Sequence, residues 1–319
     1  MNNCNSNSFA KEFYLTGFPA LHDYQMPLFP VFLLCYLIIL IGNVIIIAVV
    51  VMDEKLHKPM YFFLTNLSVL DILFTTTTIP KMLAMFLVNA KTISFNICFL
   101  QMYLFHGLTM AESLLLVVMS YDRYEAICNP FHYSVKMTKK VNILLAACAW
   151  VTPLSISIPI TFQASLLTFG EKNIIYNCFC DHLAVVQAAC ADFFAAFQTF
   201  LGFYFAMTVS AVPFILVVLS YIYIIISILK INSKVGRSKA FSTCTSHLIV
   251  VGTYYSSIAL AYISYRADLP IDIHILGNVV FATLTPLLNP LIYTLRNKEV
   301  KYAVKRFVFL KIFSCSDKL

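Results

Sequence analysis

Residues 119–128, Met-Ser-Tyr-Asp-Arg-Tyr-Glu-Ala-Ile-Cys, close a long apolar stretch on the charged triplet Asp122-Arg123-Tyr124. A charge at the centre of a membrane helix costs roughly 2.5–3.5 kcal/mol on insertion scales, and the cost falls toward the interface. An ion pair at a helix end is therefore cheap to keep and can change partners when helices move, which makes it a good latch. The plainer reading is a helix end that happens to carry charges. The triplet alone does not choose between the two.

The chain around it does. Hydrophobic residues make up 60% of the 319 positions and charged ones 12%, with a mean hydropathy of +0.82. Those values exclude an ordinary soluble domain. Apolar stretches of about 20 residues, long enough to cross a hydrocarbon core, recur seven times. They run from Pro27 to Val51, Met60 to Phe86, Phe95 to Ser120, Val141 to Phe162, Phe197 to Leu229, Phe241 to Ser264 and Ile271 to Leu295. Pro153 and Pro159 interrupt the fourth, and kinks are tolerated in bundled membrane helices.

With seven spans, 17 of the 22 Lys and Arg residues fall on one side, in the first three loops of that side and the tail. The positive-inside bias makes that side cytoplasmic, with the amino terminus outside and the carboxyl terminus inside. The net charge of +7 follows from this bias and carries no nucleic-acid inference. The stretch before Pro27 is polar and lacks the build of a cleaved signal peptide, so the first span is expected to act as an uncleaved signal anchor. The expected organisation is an extracellular amino terminus over 1–26, an all-α seven-helix membrane domain over 27–295, and a cytoplasmic tail over 296–319.

Several motifs sit at matching places in successive spans. Gly42-Asn43 lies inside span one. Leu56-His57-Lys58-Pro59-Met60-Tyr61-Phe62-Phe63-Leu64 opens span two, which holds Asp71 further in. Ser220-Tyr221 lies in span five, and Lys239-Ala-Phe-Ser-Thr-Cys-Thr-Ser-His247-Leu begins span six. Span seven ends in Pro286-Leu-Leu-Asn289-Pro290-Leu-Ile-Tyr293-Thr-Leu-Arg296-Asn297. Over nearly the whole chain, from about Phe13 to Arg306, this set resembles the olfactory receptors of the rhodopsin-like G-protein-coupled family.

The resemblance implies a two-state switch. Asn43, Asp71, Asp122 and Asn289 are polar groups in or at the ends of apolar helices, and such groups must face the bundle, water or one another. Asp71 with Asn43 and Asn289 would line a hydrated site able to hold sodium; the plainer alternative is that they bond helices together at about 0.6 kcal/mol each. Pro290 weakens helical hydrogen bonding just before Tyr293, so the end of span seven can bend. Asp122, Arg123 and Tyr124 would bear on engagement of a heterotrimeric G protein of the olfactory stimulatory type, with cyclic AMP as the output. Two departures from the pattern stand out. Glu125 replaces an apolar residue after Tyr124 and is expected at a solvated loop position, though it could compete for Arg123. The usual early N-glycosylation sequon is absent, leaving only Asn2-Asn3-Cys4.

Ten cysteines divide by compartment, and Cys4, Cys98, Cys178, Cys180 and Cys190 face the oxidising side. By resemblance Cys98 pairs with Cys180. The family's second bridge uses a cysteine about ten residues upstream of Cys180, near Phe169, where this chain has none. Cys178 could substitute as the partner of Cys190, leaving Cys4 unpaired, or could replace Cys180 in the first bridge; both stay open.

The run Cys180-Asp-His-Leu-Ala-Val-Val-Gln-Ala-Ala-Cys190-Ala-Asp192 is similar to class I, fish-like olfactory receptors, whose ligands tend to be water-soluble and include small carboxylates. His106 fits that pattern in span three, about 12 Å beneath Cys98 at 1.5 Å per residue. Arg266 matches the carboxylate-clamp position of acid-sensing members, where a guanidinium captures an anion bidentately. Arg266 is otherwise an ordinary loop charge paired with Asp268 or Asp272, and His106 a hydrogen-bonded interhelical residue. Tyr262 and Leu183 replace polar groups of the acid-sensing pattern. Phe105, Tyr204, Tyr255 and Tyr262 would give an aromatic lining suited to a compact odorant. Glu112 is expected to be buried and to pair with a polar group on a neighbouring helix.

After span seven, Val300, Val304, Phe307 and Leu310 alternate with Lys301, Lys305, Arg306 and Lys311. That pattern reads as a basic amphipathic helix on anionic membrane lipid, with Cys315 open to palmitoylation. No zinc-type spacing, phosphate loop or nucleophile elbow supports an enzyme or a cofactor. A secondary transporter would need inverted repeats and paired broken helices, and neither is visible. Span three lacks the mid-helix Asp of amine receptors. The expectation is a multi-pass plasma-membrane odorant receptor of olfactory cilia.

Overall fold

The computed structural model describes residues 11–21, 25–170, 173–266 and 269–316, with the side chains of 25, 239, 243, 265, 266 and 308–316 outside the described set. The described helices are α1 (Gln25–Met52), α2 (Pro59–Val88), α3 (Phe95–Cys128), the short α4 (Tyr133–Lys136), α5 (Lys139–Ser165), the short α6 (His182–Ala188), α7 (Phe193–Leu229), α8 (Lys234–Arg266), α9 (Ile271–Arg296) and α10 (Lys298–Ser316). Seven of them are long and apolar enough to cross a membrane, all but α4, α6 and α10. They coincide with the seven expected spans, extended by a few residues at their polar ends.

Local signals set the ends. Pro59 sits in the first turn of α2, where a missing N–H costs nothing, and Asn89 in the left-handed region closes that helix. Thr138 caps α5 by accepting from Val141 N–H at 3.4 Å, and Asp192 caps α7 by accepting from Ala195 N–H at 2.7 Å. Pro153 and Pro159 do not break α5. Leu34, Ile41, Val44, Phe162 and Ile215 stand exposed on the outside of the bundle. Such a surface is costly in water and is what a helix presents to lipid.

α3 does not stop at the charged triplet. It continues to Cys128, so Asp122 and Arg123 lie inside a helix rather than at its end.

The bundle also carries a small sheet that the all-α expectation lacked. β1 (Glu12–Leu15) pairs antiparallel with β2 (Thr92–Ser94), Phe13 opposite Ile93, and parallel with β3 (Ile174–Ile175), Tyr14 opposite Ile174. Phe13 and Leu15 turn inward at 1% and 0% exposure while Glu12 and Tyr14 face out, the period-2 alternation of a half-buried strand. Phe13 packs edge-on to Phe169 at 4.9 Å and against Phe95 and Phe99. The segment before span one is thereby tied to the top of α3 and to the loop before α6.

Candidate functional site

That loop is fixed covalently. Cys98 at the start of α3 is bonded to Cys180. The Cys180 N–H also donates to Gln101 Oε1 at 2.8 Å, and Gln101 Nε2 donates to the Thr77 carbonyl at 2.7 Å, joining the loop to α2 and α3. Cys178 pairs with neither Cys190 nor Cys98: its thiol is free and fully buried, and Cys190 is itself disulfide-bonded elsewhere. Burial, with Asp272 adding, pushes the Cys178 thiol far up, so it stays protonated and unreactive. Phe169 occupies the place of the missing upstream cysteine. It pairs by backbone with Ala189, and Cys190 N–H donates to the Thr168 carbonyl at 2.8 Å. Cys4 lies outside the described residues, as do Asp268 and the side chains of Arg266 and Cys315.

Beneath the loop, a cavity of about 540 Å³ opens between α3, α5, α6, α7, α8 and α9. Phe105 and His106 line it from α3, Tyr204 from α7, and Tyr262 from α8. Tyr255 is not in the lining: its hydroxyl bonds Ser113 Oγ at 3.0 Å and its ring packs on Phe214. Sequence reasoning missed Asp181, His182, His274 and Asn278 as lining residues. The signal for the first two was present, because a pair directly after the bridged Cys180 must hang over the pocket.

Asp181 caps α6, accepting from Leu183 N–H at 3.3 Å through Oδ2. Its Oδ1 lies 3.7 Å from His106 Nε2, which has no hydrogen-bond partner among the described residues. The His182 ring stands 6.1 Å from that of His106 and fills space that a methyl group on Gly202 would occupy. Burial, reinforced by His106 and opposed by Asp181, pushes the His182 imidazole down to about 4, so it is neutral at physiological pH. Burial likewise raises the Asp181 carboxyl above the usual carboxylate range. Among the described side chains of the lining there is no Lys or Arg.

A column of buried polar groups descends from this cavity. Tyr254 donates to the Thr109 carbonyl at 2.8 Å. Below it, Asn289 Nδ2 donates to both carboxylate oxygens of Asp71 at 3.1 Å. Asn43, expected at the same hydrated site, makes its own hydrogen bonds to backbone carbonyls. Pro290 has no N–H, which deprives the Pro286 carbonyl of its helical donor, and the Asn43 amide reaches that oxygen at 3.5 Å and Ile39 O at 3.0 Å. Gly42 permits the approach, since a Cβ there would sit 3.0 Å from the Pro290 ring. Glu112 comes close to Asp71 and Asn289 instead. Glu112 Oε1 and Asn289 Oδ1 are buried without hydrogen-bond partners among the described residues. Oxygen donors with carboxylate charge suit a hard cation such as sodium. No cluster of three His, Cys, Asp or Glu able to hold a metal occurs among the described residues.

At the far end Arg123 donates through Nε and Nη2 to Asp122 Oδ2, and Tyr133 donates to Asp122 Oδ1 at 2.7 Å. Burial and the Asp122 charge raise the Tyr133 hydroxyl well above its ordinary value. Glu125 is neither solvated nor a rival for Arg123. It is 2% exposed and accepts from Lys136 Nζ at 2.9 Å and Asn129 Nδ2 at 3.1 Å, clamping α4 to α3. Its hydrogen bond raises the Lys136 ammonium. Tyr221 and His247 Nδ1 bond at 2.7 Å between α7 and α8. Tyr293 is fully buried, and Tyr124 rests against Tyr121 and Tyr223.

The sequence model of the olfactory receptor family matches residues 32–311. The chain is 58% identical to olfactory receptor 2AT4 of Homo sapiens over 93% of its length and 92% of that protein's. It is 43% identical to olfactory receptor 10R2 of Homo sapiens (92% and 88%) and 40% identical to olfactory receptor 6B9 of Mus musculus (93% and 93%). These matches show the family as a whole and not the class I subdivision. With seven membrane-length helices, five of which line one cavity, the chain belongs to the olfactory receptor family, as a multi-pass plasma-membrane odorant receptor of the G-protein-coupled type and not an enzyme.

Proposed function

We propose that the cavity under the Asp181–His182 loop takes a small, uncharged, largely apolar odorant carrying one hydrogen-bond donor. The observation that carries this is the charge of the lining. Asp181 is its one carboxylate among the described residues, His106 and His182 stand beside it, and no described cation faces it. Asp181 and His106 accept from the ligand donor. Phe105, Tyr204 and Tyr262 supply aromatic surface, and Leu183 closes the cavity from the loop side.

The cavity end faces outside the cell and the Arg123 end inside, as the Lys and Arg bias requires, with 1–26 extracellular, 27–295 in the membrane and 296–319 cytoplasmic. Ligand favours the arrangement in which α8 and α9 swing from α3 and open a cleft for the olfactory stimulatory G protein, raising cyclic AMP in the ciliary membrane. That is a population shift and not a chemical step. Asp122 releases Arg123 toward the G protein, Tyr124 abuts the same cleft, and Asn289, Pro290 and Tyr293 let the end of α9 rotate. Asp71, Asn289 and Glu112 would hold sodium in the resting state, supplying a positive charge between two carboxylates. The basic face of α10 lies on anionic lipid.

Cyclic AMP output across alcohols, amines and carboxylates tests the ligand class. Asp181→Asn keeps the α6 cap and is expected to weaken the response to a neutral donor about tenfold, with Arg266→Ala unchanged. Activation by carboxylates alone, silenced by Arg266→Ala at equal surface level, would reverse the assignment in favour of an anion clamp.

A further inference from the structure

Cys190 is disulfide-bonded, and the other cysteines of the chain narrow its partner to one. Of the ten, Cys98 and Cys180 hold each other, and Cys35, Cys128, Cys148, Cys178 and Cys244 carry free thiols. Cys4 and Cys315 remain. Cys190 follows α6 at the cavity end of the bundle. Cys315 belongs to α10, whose ion pairs to Asp53 and Lys58 hold that helix to the turn between α1 and α2, at the opposite end. A bond joining the two faces of a membrane protein would have to cross the hydrocarbon core, about 30 Å thick, so Cys315 drops out.

We propose that Cys4 is the partner of Cys190, a bridge from the amino terminus to the end of α6 that stands in for the one lost with Phe169. Cys4 precedes Lys11 by seven residues, a tether of at most about 25 Å. From Lys11 the route to Cys190 is short. The Lys11 carbonyl accepts from Phe95 N–H at 2.9 Å, the Phe13 ring packs on Phe169, and Phe169 pairs by backbone with Ala189, the residue before Cys190. The secretory compartment supplies the oxidant. The Cys4 and Cys190 thiols give up two protons and two electrons to a disulfide-donating protein, whose own disulfide becomes a dithiol as the new S–S bond forms. Cys178, completely buried in the same loop, is out of reach of an attacking thiolate.

The bridge pins a lid. α6 brings His182, Leu183 and Gln187 to the cavity lining. Cys180, before it, is bonded to α3. Cys190, after it, is bonded to the segment that runs into β1 and is tied by β1 to β2 and β3. A loop anchored at one end opens locally at little cost, and fixing its second end removes that freedom.

The test uses the full chain purified from cells into lipid nanodiscs, alkylated before digestion and never reduced. Trypsin with a protease that cuts before Asp separates Cys190, in 181–191, from Cys178 and Cys180, in 173–180, and releases Cys4 in 1–11. Mass spectrometry is expected to find 1–11 joined to 181–191, with the pair lost on reduction and kept in Cys178→Ala. In Cys4→Ser the Cys190 thiol should take up alkylating reagent, and amide exchange over 182–188 should quicken at least about threefold. Cys190→Ser should match it, and the double variant should go no further. The assignment is overturned by alkylated Cys4 in the unmodified chain, by 181–191 joined to 173–180, or by a link that joins two copies on a non-reducing gel. A mapped bond with unchanged exchange in Cys4→Ser overturns its hold on α6. No odorant enters the measurement, so the result is independent of the ligand class.

Discussion

The two ends of the bundle are held by different kinds of bond. At the cavity end a disulfide, a three-stranded sheet and the Gln101 bridge fix the loop to α2 and α3. At the other end the strongest pair, Asp122 with Arg123, joins neighbours on one helix and ties no helix to another. Among the described residues, what crosses from α7 to α8 there is the hydrogen bond between Tyr221 and His247. A covalent and backbone framework resists rearrangement, while single side-chain contacts each contribute about 1 kcal/mol and exchange readily. The molecule is therefore rigid where it reads a ligand and labile where it answers. The polar column from Tyr254 to Tyr293 runs between the two.

Breaking the rigid end has the largest expected effect. Cys98→Ser opens a link between residues 82 apart in sequence, and losing a native disulfide typically costs about 2–5 kcal/mol. Surface display measured by antibody staining should fall nearly to background. Near-normal display would place the rigidity in the sheet and the Gln101 bridge.

Acid should loosen the same end by a smaller amount. His182 sits with its imidazole pushed from 6.5 down to about 4. The unfolded chain therefore binds that proton more readily than the folded one. The associated stability is present above about pH 6.5 and is lost progressively as pH falls toward about 4, with a ceiling of about 3 kcal/mol. Asp181 works in the opposite sense, because its raised carboxyl takes up a proton more readily in the fold, so the net loss is smaller. The melting midpoint of purified receptor should drop between about pH 7.5 and about pH 5, and His182→Gln should flatten the drop. An identical slope in the variant would assign the acid sensitivity to other groups.

At the labile end, Tyr221→Phe removes the hydroxyl that bonds His247 and leaves the ring stack. A loss of about 1 kcal/mol corresponds to roughly a fivefold shift between two states. Ligand-free cyclic AMP should rise by up to that factor at equal surface level. An unchanged baseline would mean that Tyr221–His247 does not distinguish the closed from the open arrangement.

The same contrast explains what the sequence made legible. The seven spans could be read because each is a continuous apolar run, and four of them begin at a local signal, Pro59, Thr138, Asp192 or Pro270. β1 could not be read so. Glu12–Leu15 is four residues long, and its partners lie near Ile93 and Ile174, far along the chain. Glu125 looked solvated because its partners, Asn129 and Lys136, sit on a turn that folds back onto α3. The resemblance put Asn43 with Asp71 and Asn289 at one hydrated site. Its amide reaches the Ile39 carbonyl and, at 3.5 Å, a carbonyl left without a donor by a proline on another helix, a backbone effect that a list of side chains hides. In the cavity, His106 was placed by helical depth beneath Cys98, and of the four aromatic residues expected there Phe105, Tyr204 and Tyr262 line it while Tyr255 does not. Asp181 and His182 follow only once the disulfide is placed.

The smallest effect belongs to α10, whose attachment sharpens the comparison because it combines exchangeable ion pairs with buried apolar packing. Lys58 Nζ and Glu299 Oε2 lie 2.6 Å apart with side chains 55% and 52% exposed, and Arg306, 55% exposed, meets at 2.7 Å an Asp53 that is 13% exposed, so this pair is shielded on one side only. Exposed pairs contribute about 0–1 kcal/mol and are screened by salt, while shielded ones are screened less. Val300 and Ala303 are buried under the helix, and their packing does not depend on salt. Glu299→Gln should therefore lower the melting midpoint slightly in dilute buffer and not measurably at about 0.5 M salt. Asp53→Asn should lower it more, and its effect should persist in salt. If both variants lost their effect equally with salt, α10 would be held by charge alone and would belong wholly to the labile end.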